Sequence, residues 1–280
     1  MDMNILGDEI GRGGYGRIYE ITNNKNLCAK VSDKKMEGCR KWSNEFNKIK
    51  SIMLKIKDDT FYKRLKMVKI ITPLEFKETD GLCMMIMPKI YRPDDIRYSK
   101  SIQSRKYNSA PSILQTNGKT KYTIQAQLGI TYGRMIFKGR GEFIGLKEIK
   151  EFVSNEDLKV ASYELGMIMG LIHFVGNNDA YDIEVYLGKD YMSKKVRFYI
   201  ADFDMSEEIK EFDDSTIERM TWSIDAVPYF PTKSSDPVLF ELFKKGYSII
   251  AKNPVIVEKV FEKYGSVSYT HLTLPTNREV

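Results

Sequence analysis

The sequence predicts an α+β fold with two lobes. In the first 90 residues, short apolar runs alternate with turn residues, which is the pattern of strands joined by hairpins. Residues 41–57 and 155–175 instead repeat apolar side chains at helical spacing. We therefore expect an antiparallel sheet with one helix over residues 1–90 and a mainly helical lobe over residues 124–266.

The composition is that of a globular protein. With 280 residues, of which 42% are hydrophobic, the chain is long enough for one large or two small domains. The three cysteines, Cys28, Cys39 and Cys83, form no CxxC pair, and with two histidines they cannot build a zinc finger. So few cysteines indicate a reducing compartment. The sequence shows no signal peptide and no long apolar run, so we expect an intracellular protein, cytoplasmic or nuclear, with no membrane partner.

One basic segment carries the excess positive charge. The net charge is +6, and residues 97–122 contain six basic residues and no acidic one. This stretch is rich in turn-forming residues, so we interpret residues 91–123 as a long insertion between the lobes. A solvated loop is favoured over a nucleic-acid or membrane patch, because only three tyrosines interleave the basic residues. A nucleic acid is therefore not the expected partner.

The tail, residues 267–280, is excluded from the predicted fold. Its first ten residues, VSYTHLTLPT, resemble the translation of a sequencing adapter. The alternative is an ordinary polar tail rich in threonine. If the adapter interpretation holds, we expect the natural C-terminus to be missing, and His173 is then the only native histidine.

A glycine-rich turn lies between the first two predicted strands. It matches the pattern G-x-G-x-x-G-x-[VI], with Gly11, Gly13, Gly16 and Ile18 at the defining positions. Residues 17–21 alternate as a strand, whereas a dinucleotide-binding motif would open a helix here. Such a turn lets the backbone close over the phosphates of a nucleotide, although any tight hairpin can also use these glycines.

Two charged residues follow in apolar surroundings. Lys30 interrupts an otherwise apolar strand, and Glu45 lies near the start of the first predicted helix. Lys30 either holds phosphates or extends to water from an edge strand, and the glycine turn before it favours the first interpretation. Glu45 either pairs with Lys30 or makes a local pair with Lys48. Met87 closes the last predicted strand, just before the connection to the second lobe.

An acidic loop and an acidic turn flank two short apolar strands. Asp179 lies on the loop, Glu184 comes five residues later, and Asp202 ends the second strand. Because Val185–Leu187 and Arg197–Ala201 should pair as a hairpin, we expect Glu184 and Asp202 to lie close together. Converging carboxylates repel each other unless a proton or a cation intervenes, and magnesium is the natural ion for such a site.

This order of motifs resembles that of protein kinases: glycine loop, strand lysine, helix glutamate, hinge, acidic loop and Asp-Phe turn. The resemblance implies a two-lobed kinase-like fold. Three positions depart from it, since Asn177-Asn178 stands where kinases have His-Arg, Glu184 where they have asparagine, and Asp204 where they have glycine.

The kinase resemblance also implies roles for the candidate residues. Lys30, with Glu45, would position the phosphates of ATP, and Asp179 would accept the proton of the acceptor hydroxyl. Glu184 and Asp202 would bind Mg²⁺. The nucleotide would lie against the three glycines of the turn, Ile18 and Met87.

Residues 124–250 also resemble an uncharacterised, kinase-like domain family best known from fungi. The most specific element is the run Asp179–Glu184, which follows the pattern Asp-Ala-x-Asp-[Val/Ile]-Glu. That family has glutamate at the position of Glu184, so we interpret this departure from protein kinases as a family trait. Some members are labelled zinc-finger proteins, but this sequence offers no ligands for zinc.

Two functions follow as hypotheses. The first is an atypical ATP- and Mg²⁺-dependent phosphotransferase acting on an unidentified protein or small molecule. The second is a pseudokinase or interaction module that keeps the fold without transfer, which the missing His-Arg and the glycine replaced by Asp204 favour.

Overall fold

The computed structural model describes residues 5–13, 16–32, 35–79, 82–93, 124–131, 134–137, 141–190, 195–225 and 228–264. The basic segment 97–122 and the tail 267–280 lie outside the described residues, so the expectations for both stay predictions.

The described strands and helices are bounded as follows. The strands are β1 (Leu6–Gly13), β2 (Gly16–Ile21), β3 (Leu27–Ser32), β4 (Val68–Ile70), β5 (Glu75–Thr79), β6 (Leu82–Pro88), β7 (Ile124–Gln127), β8 (Arg134–Phe137), β9 (Gly141–Gly145), β10 (Glu184–Gly188) and β11 (Arg197–Ala201). The helices are α1 (Lys35–Ile56), α2 (Thr60–Arg64), α3 (Leu146–Ile149), α4 (Asn155–Gly170), α5 (Asp214–Asp225), α6 (Pro237–Ile250) and α7 (Pro254–Lys263), and a π-helical turn (Leu171–Val175) extends α4.

The first sheet confirms the predicted antiparallel lobe. Its five strands have the order β1-β2-β3-β6-β5, and every neighbouring pair is antiparallel. Helix α1 starts six residues before the predicted stripe at Lys41 and buries Trp42, Ile49, Ile52 and Ile56. The fold is therefore α+β, as the sequence predicts.

The predicted strand 67–76 is wrong in one respect, because it divides between two sheets. β4 leaves the first sheet and pairs in parallel with β11, placing Val68 beside Phe198 and Ile70 beside Ile200. Pro73 follows, and a proline cannot donate to a ladder, so the chain turns before β5 begins. This short strand ties the N-terminal segment into the C-terminal part of the molecule.

The second sheet adds strands to the mainly helical lobe that the sequence predicts. Its six strands have the order β4-β11-β10-β7-β9-β8 and mix parallel and antiparallel pairs. β7, β8 and β9 were not predicted, because four- or five-residue strands in mixed apolar and polar sequence give no distinct period. Their partners are brought together only by the tertiary fold.

Helix α4 forms the centre of the larger core. Ser154 caps it by accepting the N–H of Asp157, and α4 with its π-helical turn covers the predicted span 155–175. This is the one described helix that is long and apolar enough to cross a membrane, but 72% of its apolar window is buried inside the fold, so it is weak evidence for a membrane segment.

Two of the three cysteines form a disulfide. Cys39 of α1 is bonded to Cys83 of β6, which fastens the helix to the first sheet, while Cys28 is a free, buried thiol. The sequence interpretation of a reducing compartment did not anticipate this bond, since disulfides are rare in such compartments. The cellular location of the protein stays a prediction.

Candidate functional site

The glycine turn is a hairpin between β1 and β2. Gly11 lies opposite Ile18, and Gly13 lies opposite Gly16 where the two strands approach their turn. A Cβ atom at Gly16 would overlap the ring of Trp42 and the carbonyl of Val31, so glycine there allows the hairpin to pack onto α1. A Cβ atom at Gly11 would lie 3.5 Å from Ile18 in ordinary contact, so Gly11 is not required for packing.

Lys30 lies beneath this hairpin between two carboxylates. Its Nζ is 2.9 Å from Oε2 of Glu45 and 3.6 Å from Oδ1 of Asp202, and it lies 5.2 Å from the centre of the Trp42 ring. Burial alone would lower the pKa of Lys30, but Asp202, Glu45 and Asp204 together raise it above its usual value. The predicted ion pair is therefore confirmed, and the ammonium is held charged inside the fold.

Glu45 reaches this position from helix α1. The residue is buried, and burial together with Asp202 and Asp204 raises the pKa of its carboxyl, whereas the ammonium of Lys30 opposes the shift. A buried carboxylate is stable only beside a partner, and Lys30 is that partner. The local pair with Lys48, the alternative interpretation, is not the contact that the structure shows.

Glu184 and Asp202 meet at the end of the β10–β11 hairpin. Glu184 is paired with Ala201 in the ladder, so it lies next to Asp202, which confirms the predicted proximity. Asp202 has a left-handed backbone with φ of 64°, a conformation that non-glycine residues seldom adopt. Its Oδ1 is buried and accepts no hydrogen bond from any described residue.

Glu184 is held by polar groups from two strands. The hydroxyl of Tyr186 donates to Glu184, and Gln125 of β7 also bonds to it. Gln125 in turn accepts a hydrogen bond of 2.9 Å from the hydroxyl of Tyr229. Burial and the charge of Asp202 raise the pKa of Glu184 to about 7. The site therefore disfavours two bare carboxylates side by side.

These two carboxylates fit a magnesium ion that also binds phosphate. Within the described residues, no group of three or more His, Cys, Asp or Glu side chains converges to hold a metal unaided. Mg²⁺ needs fewer protein ligands, because one or two carboxylates suffice when water and phosphate oxygens complete the octahedron. The Oδ1 of Asp202 is buried and accepts no hydrogen bond from a described residue, and the pKa of Glu184 is raised; a bound cation would relieve both conditions.

Most of the candidate residues line one cleft of about 380 Å³ between the two sheets. Its apolar walls include Ile18, Met85, Met87 and Tyr186, and its polar end holds Lys30, Glu45, Glu184 and Asp202. Gly11 and Gly16 form part of its roof, whereas Gly13 lies at the end of the hairpin and is not among the lining residues. A cleft with apolar walls and a charged end suits a nucleotide, because the base can pack against the apolar walls and the triphosphate can bind at the charged end.

Asp179 is not in this cleft. Its side chain is only 3% exposed, and Oδ2 accepts a hydrogen bond of 2.5 Å from Nε of Arg219. Oδ1 accepts the backbone N–H groups of Tyr181 and Glu207. Because the side chain is buried and both oxygens already accept hydrogen bonds, the carboxylate is not presented to an acceptor hydroxyl. The geometry does not support the proton-accepting role that the kinase resemblance implies.

Backbone strain concentrates around this loop and turn. Within the described part of the chain, the non-glycine residues with positive φ are Asn177, Ala180, Asp182 and Asp202. Such conformations cost of order 1 kcal/mol each and persist only where the surroundings impose them. Strain of this kind is typical of sites that hold a side chain or backbone group in a required position.

Several residues of the site were missed from the sequence. Gln125, Tyr186 and Trp42 contact the predicted residues from β7, β10 and α1. Arg219 and Lys41 were also missed, although they pair with Asp179 and Asp204. No local pattern marks them, because each becomes part of the site through tertiary contacts alone.

Comparisons with known proteins provide little further support. No protein-family model matches the chain, and no curated protein matches it. The crystal structure of a kinase domain is similar to the chain with 13% identity and a TM-score of 0.40, covering 86% of this chain and 63% of that one. The chain therefore spans less than two thirds of that kinase domain. The resemblance to the fungal family stays a prediction.

Proposed function

We propose that the cleft binds ATP together with Mg²⁺ and that the protein is an atypical, kinase-like phosphotransferase. The observation that carries this proposal is the position of Lys30, whose ammonium lies between Glu45 and Asp202 beneath the glycine hairpin. Glu45 holds the ammonium of Lys30 in place, while the carboxylate of Asp202 lies farther away, at 3.6 Å. Lys30 can therefore contact phosphate oxygens and keep its ion pair with Glu45. The glycine hairpin covers the same end of the cleft.

Asp202 and Glu184 are the proposed magnesium ligands. The ion would neutralise charge on the phosphates when bound. Asp204, by contrast, pairs with Lys41 of α1 and is not proposed as a ligand. Of Glu184, Asp202 and Asp204, the first two can therefore bind metal, whereas Asp204 is engaged by Lys41.

For the transfer step, Asp182 is better placed than Asp179. Asp182 is exposed, and partial burial and then the nearby charges of Asp202 and Asp204 raise the pKa of its carboxyl, which supports a position near the proposed metal ligands. Asp179 is buried against Arg219 and serves instead to fix the loop. We therefore propose Asp182 as the group that accepts the acceptor's proton.

The second candidate is a module that binds nucleotide without transferring phosphate. The burial of Asp179 is the specific observation that favours it, because the residue that the kinase resemblance assigns to proton transfer is sequestered. The two candidates share the same nucleotide site and differ only in chemistry.

Calorimetric titration with ATP in the presence and absence of Mg²⁺ tests the shared site. Wild type should bind in a magnesium-dependent way and gain about 2.7 kcal/mol of stability at a ligand concentration 100-fold above Kd. Lys30→Met and Asp202→Asn should lose this binding, whereas Lys69→Met, which removes an exposed ion pair with Asp190, should keep it. Equal behaviour of all four proteins would exclude the nucleotide site.

Phosphate transfer is then measured as ADP release with candidate acceptors. Asp182→Asn should abolish release and retain ATP binding, whereas Asp179→Asn should lower the unfolding midpoint because it leaves Arg219 without its buried partner. Magnesium-dependent binding without any release would select the binding module over the phosphotransferase.

A further inference from the structure

Three lysines recur at seven-residue intervals along helix α1. They are Lys41, Lys48 and Lys55, and seven residues is nearly two helical turns, so their side chains lie along one face. All three face the segment 202–209, which follows β11 and contains the Asp-Phe turn. We call them the lysine stripe.

Lys48 makes the central contact of the lysine stripe. Its Nζ donates to the carbonyl of Asp204 at 2.8 Å and to the carbonyl of Ser206 at 2.5 Å. An ammonium offers three donors in flexible directions, so one lysine can satisfy two carbonyls of a tight turn. The same turn is closed internally, since the hydroxyl of Ser206 donates to the carbonyl of Phe203.

The outer lysines bind on either side of Lys48. Lys41 forms an ion pair with the carboxylate of Asp204. Lys55 donates to the carbonyl of Gly176 at 3.1 Å and lies 3.7 Å from Oε1 of Glu208. The lysine stripe therefore spans the length of the 202–209 segment and reaches the start of the acidic loop.

The 202–209 segment is itself fastened to the acidic loop. The N–H of Asp179 donates to the carbonyl of Glu207, and the N–H of Ile209 donates to the carbonyl of Asn177. Helix α1, the Asp-Phe turn and the acidic loop are thus connected by direct hydrogen bonds. Glu45 lies on α1 between Lys41 and Lys48, so the position of the stripe sets the position of Glu45.

We infer that the lysine stripe holds helix α1 in the one position in which Glu45 reaches Lys30. The three lysines are positioning residues, because none of them lines the cleft. Lys41 contacts Asp204, which does line the cleft. The contacts between the lysine stripe and the 202–209 segment thereby bring Glu45 and Lys30 together in the candidate site. The effect on nucleotide affinity rests on the proposed function, whereas the effect on α1 does not.

Trp42 provides a direct reporter of the helix position. The chain has two tryptophans, and Trp42 on α1 is 1% exposed while Trp222 on α5 is 52% exposed. In a Trp222→Phe background, emission therefore comes from the buried Trp42 beside Lys30. A helix released from its position would expose the ring, shift emission to longer wavelength and increase quenching by acrylamide.

The test compares Lys48→Met with Lys48→Arg and Lys50→Met in that background. Methionine keeps the apolar stem without donors, arginine restores donors, and Lys50, which lies over Phe46, is on α1 outside the stripe. Lys48→Met should expose Trp42 at unchanged far-ultraviolet dichroism and raise the Kd for ATP with Mg²⁺ by about tenfold, because binding must then select a minor conformer. Lys48→Arg should restore both properties, and Lys50→Met should change neither.

The outcomes separate this inference from the proposed function. If no variant binds ATP but Lys48→Met still exposes Trp42, the nucleotide proposal fails and the stripe is upheld. If Trp42 stays shielded in folded Lys48→Met, the stripe does not position α1 and the inference is overturned. Exposure of Trp42 that Lys48→Arg does not reverse would also overturn it, because donors at this position would then be irrelevant.

Discussion

At the scale of single residues, buried carboxylates in this protein have different partners and different roles. Glu45 pairs with Lys30 in the cleft. Glu164 of α4 instead accepts the backbone N–H groups of Lys66, Met67 and Val68, and Asp179 is bonded to Arg219. A buried carboxylate must find donors, but the sequence does not show whether these come from backbone or from an exchangeable ligand.

His173 gives a pH-dependent contribution to stability. Its Nδ1 lies 2.8 Å from the hydroxyl of Tyr247 and its Nε2 lies 3.3 Å from Oγ of Ser223, and burial lowers its pKa to about 4 although Asp179 opposes the shift. Its folded pKa is below the unfolded value of 6.5, so the unfolded state binds the proton more tightly. The contribution is complete above pH 6.5 and is lost as pH falls to 4, about 3 kcal/mol in all.

Urea unfolding between pH 7 and 4 measures this contribution. Wild type should lose more free energy of unfolding over this range than His173→Gln, which has no imidazole to protonate. Parallel curves for the two proteins would show that His173 does not carry the pH dependence.

At the scale of elements, glycines decide how closely the central helices approach. Gly166 of α4 and Gly246 of α6 face each other's backbone, and a Cβ atom at either would overlap a carbonyl of the opposite helix, that of Phe243 or Tyr163. Glycine inside a helix is about 1 kcal/mol less favourable than alanine. The close packing that glycine permits at this crossing offsets that cost. The sequence pattern shows only two helical stripes and not this crossing.

Gly246→Ala should therefore destabilise the protein although alanine favours helix. The added methyl group meets backbone that cannot rotate away, so we expect a loss of about 2 kcal/mol in the free energy of unfolding. Gly11→Ala is the matched control, with a Cβ atom 3.5 Å from Ile18, and should change stability by less than about 0.5 kcal/mol. Urea titration of both variants checks this, and a neutral Gly246→Ala would contradict the close crossing.

At the scale of the whole molecule, distant segments are joined by a strand and a disulfide. β4 carries the N-terminal half into the second sheet, and the Cys39–Cys83 bond fastens α1 to β6 across 44 residues. Closing a loop of this length removes freedom from the unfolded chain, which favours the folded state. The disulfide and the lysine stripe thus fasten the same helix to different parts of the fold.

The double variant Cys39→Ala/Cys83→Ala should be less stable than wild type. The loss expected from loop entropy is about 4 kcal/mol in the free energy of unfolding. Dithiothreitol should lower wild type to a similar level and leave the variant unchanged, since Cys28 has no described disulfide partner. Wild type that unfolds identically with and without reductant would show that the bond does not form in solution.

The sequence by itself determined the elements whose signal is local. Alternation and turn residues predict the first sheet, the apolar stripes predict α1 and α4, and the apolar run that Lys30 interrupts predicts a strand there. The hairpin that joins Glu184 to Asp202 was also predictable, because two short apolar runs separated by a turn can bury themselves by pairing. These signals arise within a few residues and survive without the rest of the fold.

Only the tertiary structure decided which acids belong to the cleft. Asp179 and Glu184 are five residues apart and both carry carboxyl groups, yet Arg219, forty residues later, pairs with the first, whereas the β10–β11 ladder brings the second to Asp202. The six-stranded sheet, the lysine stripe and the Cys39–Cys83 bond likewise depend on contacts between residues far apart in sequence. Long-range partners leave no local period, because a side chain's free energy depends on what the fold places beside it.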